Sequence, residues 1–117
     1  MASIGFLLTG GPYQTEHWET VYRLADAALA KGHEVKIFNY LDGVYNPIKL
    51  QTFPDLEVLP KDRFADLVAR GAEVISCGIC VNARGLESGK DYIDGVRVGG
   101  LPDFAEILGE VDRVLSF

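Results

Sequence analysis

The chain has 117 residues, 48% of them hydrophobic and 24% charged, with a formal net charge of −6 from 17 acidic against 11 basic residues. That is the balance of one globular domain over residues 1–117, not of a disordered or fibrous chain. With no Lys/Arg cluster, the acidic chain offers no surface for phosphate neutralisation, so neither nucleic acid nor an anionic membrane is an expected partner.

No apolar run approaches the roughly 20 residues needed to span a bilayer. The opening MASIGFLLTGGPYQ lacks a basic n-region, and its apolar part covers only residues 4–8, too short for a secretory signal. The expectation is a cytoplasmic protein, whose cysteines stay reduced and whose C-x-x-C pair serves chemistry more often than crosslinking.

SIGFLLTG, residues 3–10, is a short apolar run bounded by glycine, the pattern of a strand buried on both faces. In EHWETVYRLADAALAKG, Val21, Leu24, Ala25 and Ala28 form a helical stripe, with Gly32 placed to close the helix. HEVKIFNY follows as a second strand, close enough to make a parallel β-α-β unit. LDGVYNPIKLQTFPD reads as mostly loop with one helical turn. PKDRFADLVARG is a helix with Phe64, Leu67 and Val68 on one face, punctuated by Pro60 and Gly71. AEVISCG is the third strand, DGVRVGG holds a short fourth, and LPDFAEILGEV is a helix carrying Phe104, Ile107, Leu108 and Val111. DRVLSF closes the chain as the last strand. The alternation predicts an α/β fold: a single-domain three-layer sandwich with a mainly parallel, flavodoxin-like sheet of about five strands.

Chemistry in such sheets collects beyond the carboxyl ends of the strands, where the strand order reverses. In a flavodoxin-like order strands one and three are neighbours. GGPYQTEH would then meet CGICVNARG, with LDGVYN beside them, gathering Gly10, Gly11, Tyr13, Asp42, Cys80 and Arg84.

Both cysteines lie in ISCGICVNARG, residues 75–85. Structural zinc takes four ligands, and His17 and His33 stand at opposite ends of one helix, roughly 24 Å apart at 1.5 Å per residue, so no metal is expected. A dithiol oxidoreductase would place its first cysteine at a helix start; here Cys77 lies within the strand pattern and Cys80 emerges into the loop. A single reactive thiol is the third reading. Cys80 would sit in a glycine-opened turn, with Gly78 permitting the bend and Gly85 freeing the far side. Arg84 and the amides of Val81 and Asn82 would favour the thiolate, which attacks a sulfur donor and holds a persulfide. Cys77 alone reads more simply as a small buried hydrophobe.

GG before PYQTEH lacks the spacing of a phosphate-binding or dinucleotide motif, and Glu16 and Glu19 would repel an anion, so no cofactor is expected. Tyr13 suits either a cysteine pocket or a subunit contact, and Trp18 an interface or the core. Asp42 reads most economically as turn chemistry with Gly43, while His17 and His33 read as surface residues.

Five spaced blocks, GGPYQTE, YLDGVYNP, CGICVNARGL, YIDGVRVGGLPDFAEIL and DRVLSF, together resemble the DsrE/DsrF-like family, and most closely its small homo-oligomeric YchN-type members. The resemblance implies a parallel α/β fold and oligomers, commonly hexamers; whether this chain forms a trimer or a hexamer stays open. Its sulfur-relay members, DsrE and TusD, hold a persulfide on a cysteine after the third strand. That position is Cys80 here, and a donor or acceptor protein would be its partner. Cys77 has no counterpart in the relay members, though YchN-type chains carry both cysteines. Three functions stay open: a sulfur carrier, a non-catalytic homo-oligomeric small-ligand binder, or a dithiol oxidoreductase using Cys77 and Cys80. Whether the protein is an enzyme stays open with them.

Overall fold

The computed structural model describes residues 1–53, 55–56 and 58–117. Its elements follow the chain as β1 (Ser3–Leu8), α1 (His17–Ala30), β2 (Glu34–Asn39), a 3₁₀ turn (Leu41–Tyr45), α2 (Pro60–Ala69), β3 (Glu73–Cys77), α3 (Gly78–Ala83), β4 (Val96–Gly99), α4 (Leu101–Glu110) and β5 (Arg113–Ser116). Five strands form one sheet in the order β4-β3-β2-β1-β5, and every pairing is parallel. The α/β class and the parallel sheet are as the sequence predicts.

The strand neighbours are not. β2 lies between β1 and β3, and the reversal of strand order falls between β1 and β5. Successive connections from β1 to β4 step the same way across the sheet, and only the last one returns. The turn after β2 therefore sits between the loops after β1 and β3 rather than beside them.

Period-two alternation divides the core between the two faces. Phe6, Leu8, Val35, Ile37 and Val74 pack against Val21 and Ala25 of α1 and Phe64 and Leu67 of α2. Phe38, Ile75 and Cys77 point the other way, toward Ile107 of α4 and the segment of Cys80, Val81 and Tyr92. Two helices cover one face and α4 the other, giving three layers. Leu24 and Leu108, assigned to apolar stripes, are 40% and 53% exposed; each lies at the margin of its helix's buried face.

α2 and α4 begin alike. A proline enters the first turn, and the third helical residue, Asp62 or Asp103, accepts the N–H of Leu59 at 2.9 Å or Gly100 at 2.8 Å. The stretch from 41 to 55, read as mostly loop, includes Pro54, which lies outside the described residues. Its first part is the 3₁₀ turn. Beyond that, Ile48 bridges Tyr92, with Lys49 N–H on Asp91 O at 2.9 Å and Ile93 N–H on Pro47 O at 3.1 Å.

Candidate functional site

The middle of CGICVNARG, residues 78–83, is a helix and not a loop. β3 ends at Cys77, which serves as the N-cap residue of α3, and Cys80 lies within α3. Gly85, at φ +71, closes it: Gly85 N–H reaches Asn82 O at 3.1 Å and Leu86 N–H reaches Val81 O at 3.1 Å, the Schellman pattern that a left-handed glycine allows. Gly78 carries no left-handed backbone. Its lack of a side chain serves close packing, since a Cβ there would stand 3.1 Å from Gly99 O. The first cysteine thus does stand at a helix start, contrary to the loop reading.

Both thiols are free and buried, Cys77 at 2% and Cys80 at 6% exposure. Among the described residues, the donor to Cys80 Sγ is the backbone N–H of Leu41, at 3.2 Å from across the sheet end, and not an amide of Val81 or Asn82. Asn82 is exposed, and its carbonyl serves the cap. Burial pushes the Cys80 thiol up from its ordinary value; the Leu41 N–H pulls against that, Cys77 adds to the rise and the charge of Arg84 opposes it. The expected thiolate-favouring balance is therefore reversed at rest, because loss of water outweighs the donors.

Arg84 turns toward the 3₁₀ turn rather than onto the sulfur. Its Nε and Nη2 each lie 2.8 Å from Asp42 Oδ1, and its Nη1 lies 3.1 Å from Cys80 O. Asp42 thus has a role beyond turn chemistry. It also lines a groove of about 290 Å³ with Gly11, Tyr13, Tyr45 and Gln51. Tyr13 donates to Gln51 Oε1 at 2.6 Å, and its ring lies 5.6 Å from that of Phe53. Gly10 contributes its carbonyl to Asn46 Nδ2 at 2.9 Å. The residues expected around one thiol thus divide in two. Cys77, Cys80 and Arg84 form a cluster under the turn, Gly11 and Tyr13 border the groove, and Asp42 touches both.

Three residues that hold this arrangement were not singled out from sequence. Leu41 presents the amide from a backbone at φ +53, unusual for a residue with a Cβ. Tyr92, 5% exposed, donates to Val44 O at 2.8 Å and pins the 3₁₀ turn from the β4 side. Asn46 ties the turn to the loop after β1 through Gly10 O and Gly43 O, each at 2.9 Å. Tyr92 stands out in sequence as an aromatic inside a charged loop and Asn46 as the residue before Pro47, whereas Leu41 carries no such signal. Among the described residues no group of three His, Cys, Asp or Glu side chains is placed to hold a metal, and no helix is long and apolar enough to cross a membrane.

A parallel α/β sheet with a buried cysteine just past its third strand defines a recognisable class. The chain belongs to the DsrE/DsrF-like family, which matches residues 2–117. It is 32% identical to the putative sulfurtransferase DsrE of Allochromatium vinosum over 119 residues, covering 92% of each chain. It is 30% identical to sulfurtransferase TusD of Pectobacterium carotovorum over 131 residues, covering 100% of each. The crystal structure of the ychN protein from E. coli superposes with a TM-score of 0.90 at 28% identity over the whole of both chains.

Proposed function

We propose that the protein is a sulfur carrier that holds a persulfide on Cys80. The supporting observation is the placement of Cys80 Sγ at the carboxyl end of β3, with the Leu41 amide at 3.2 Å, in a chain similar to two proteins named sulfurtransferases. The Cys80 thiolate attacks the outer sulfur of a donor persulfide, R–S–SH. The S–S bond of the donor breaks, a new one forms at Cys80, and the donor leaves as a thiolate that takes up the proton Cys80 lost. No oxidant or reductant is consumed, and delivery to an acceptor thiol is the same exchange repeated. Because Cys80 is 6% exposed, α3 or the 3₁₀ turn must yield to admit the donor.

The carrier works as a homo-oligomer, a trimer or hexamer, in the cytoplasm, and meets a donor or acceptor protein there. Leu101 and Leu108 on α4 and Leu115 on the edge strand β5, 50%, 53% and 38% exposed, are apolar surface for such an assembly.

Cys77 favours a second reading. Standing at the start of α3 and close enough to act on the Cys80 titration, it would serve as the second thiol of a dithiol pair. It would then attack the Cys80 persulfide at its inner sulfur, forming a Cys77–Cys80 disulfide and releasing hydrogen sulfide. In that reading an external thiol must reduce the disulfide, itself becoming oxidised, before the next cycle, and both single serine variants lose turnover. For the carrier, sulfur loading from a persulfide donor is abolished by Cys80→Ser and retained at least in part by Cys77→Ser. Equal loading of wild type and Cys80→Ser overturns it.

A further inference from the structure

We propose that the backbone amide of Leu41, aimed by a left-handed residue just past β2, is the donor that stabilises anionic sulfur at Cys80. This deepens the sulfur-carrier reading and rests on it for its purpose, though not for its geometry.

Successive N–H groups along a strand point to opposite neighbours. The Tyr40 N–H bonds Leu8 O on the β1 side at 2.9 Å, so the Leu41 N–H faces the β3 side. The β2–β3 register ends at Asn39↔Ser76. Two residues on, at the level of Leu41, the chain has already turned into α3 at Gly78. No strand carbonyl continues the ladder there, and Cys80 Sγ takes its place at 3.2 Å. A neutral thiol is a weak acceptor, whereas an anionic sulfur makes a charge-assisted bond. An amide given this acceptor favours the anion over the thiol.

The backbone around Leu41 is fixed from both sides. A Cβ on Gly43 would stand 2.0 Å from Leu8 O, so the turn lies directly on the end of β1. Gly43 N–H reaches Tyr40 O at 2.9 Å, and Tyr92 holds Val44 O. Leu41, a residue 46% exposed, carries the left-handed backbone at φ +53. A left-handed backbone kept by a residue with a Cβ persists where its surroundings over-determine it, commonly at functional sites.

The test is the pH profile of Cys80 alkylation, resolved from Cys77 by peptide fragmentation, in the full-length protein. Replacing the Leu41 amide by an ester removes the N–H and also weakens Tyr40 O as acceptor of the Gly43 N–H. An ester at Gly43, which removes that donor, reproduces the second effect by itself and must leave the Cys80 midpoint in place. Leu41→Ile, β-branched, disfavours the left-handed backbone. The Leu41 ester and Leu41→Ile are each expected to raise the Cys80 midpoint by about one unit. Alkylation at fixed pH below the midpoint then slows about threefold, because the more basic thiolate recovers part of the tenfold loss in its population. Leu41→Gly, which suits the backbone and keeps the N–H, is expected to hold the wild-type midpoint. An ester at Tyr40 weakens the β1–β2 ladder and is expected to leave Cys80 unmoved. An unchanged midpoint in the Leu41 ester overturns the proposal, as does an equal shift from the Tyr40 ester. A shifted midpoint in a protein that loads no sulfur leaves the amide's role standing and refutes the carrier reading instead.

Discussion

Arg84 joins the cysteine helix to the turn after β2 through Asp42. Two of its nitrogens share Asp42 Oδ1 at 2.8 Å, and the third reaches back to Cys80 O at 3.1 Å. The pair fixes α3 against the segment that carries the Leu41 amide, and its cation favours the Cys80 thiolate. Arg84→Gln should raise the Cys80 titration midpoint, as alkylation profiles would show. It should lower stability by about 0.5–1 kcal/mol in a urea melt, since Arg84 is largely covered but Asp42 is half exposed. A midpoint that falls would contradict this account of the charge.

Gly43 is the tightest point of the site. With its absent Cβ only 2.0 Å from Leu8 O, Gly43→Ala must push the 3₁₀ turn off β1. The expected cost is about 2 kcal/mol or more, because the obstacle is backbone and cannot rotate away. Leu41 and its amide move with the turn, so Cys80 alkylation should change as well. A variant with wild-type stability would show that the turn is not seated as described.

Tyr92 sets an alkaline limit. Burial pushes its phenol far above the ordinary value of 10.0, so the fold favours the neutral form. Its contribution to stability is complete below about pH 10 and is lost as pH rises from there toward the folded value. The raised Cys80 thiol acts in the same direction, from about pH 8.5 upward. Urea midpoints should therefore fall on the alkaline side, and Tyr92→Phe should flatten the upper part of that fall. At neutral pH the same variant should cost about 1–2 kcal/mol, because Val44 O loses its buried donor. Parallel alkaline limbs in the two proteins would refute the assignment to Tyr92.

The layers were legible because burial leaves a period in the sequence. SIGFLLTG is a short apolar run, the mark of a strand covered on both faces, and Val21 and Ala25 recur at helical spacing. Strand order leaves no such trace: nothing in the composition of β2 says that it separates β1 from β3. The nine residues CGICVNARG were too few to display a helical stripe, and their glycines suggested a loop; in the fold those glycines serve a cap and a close contact. The proposal for Cys80 rests on its surroundings in sequence. The amide that touches it was not, since any residue carries an N–H and only the chain path aims this one.

The exposed leucines of α4 and β5 bear on assembly. In a homo-oligomer that buries them, light scattering should give a mass that is a small multiple of 12.8 kDa, and Leu108→Glu should reduce it. A wild-type monomer at working concentration would refute the assembly.

The most direct test of the sulfur-carrier account is mass spectrometry of the intact protein and of the peptide bearing residues 77–80 after exposure to a persulfide donor. The account predicts a reductant-labile gain of one sulfur on Cys80 in wild type and in Cys77→Ser, and none in Cys80→Ser. A loss of two hydrogens linking Cys77 to Cys80, with no sulfur retained, would favour the dithiol reading. Equal loading of wild type and Cys80→Ser would contradict the account outright.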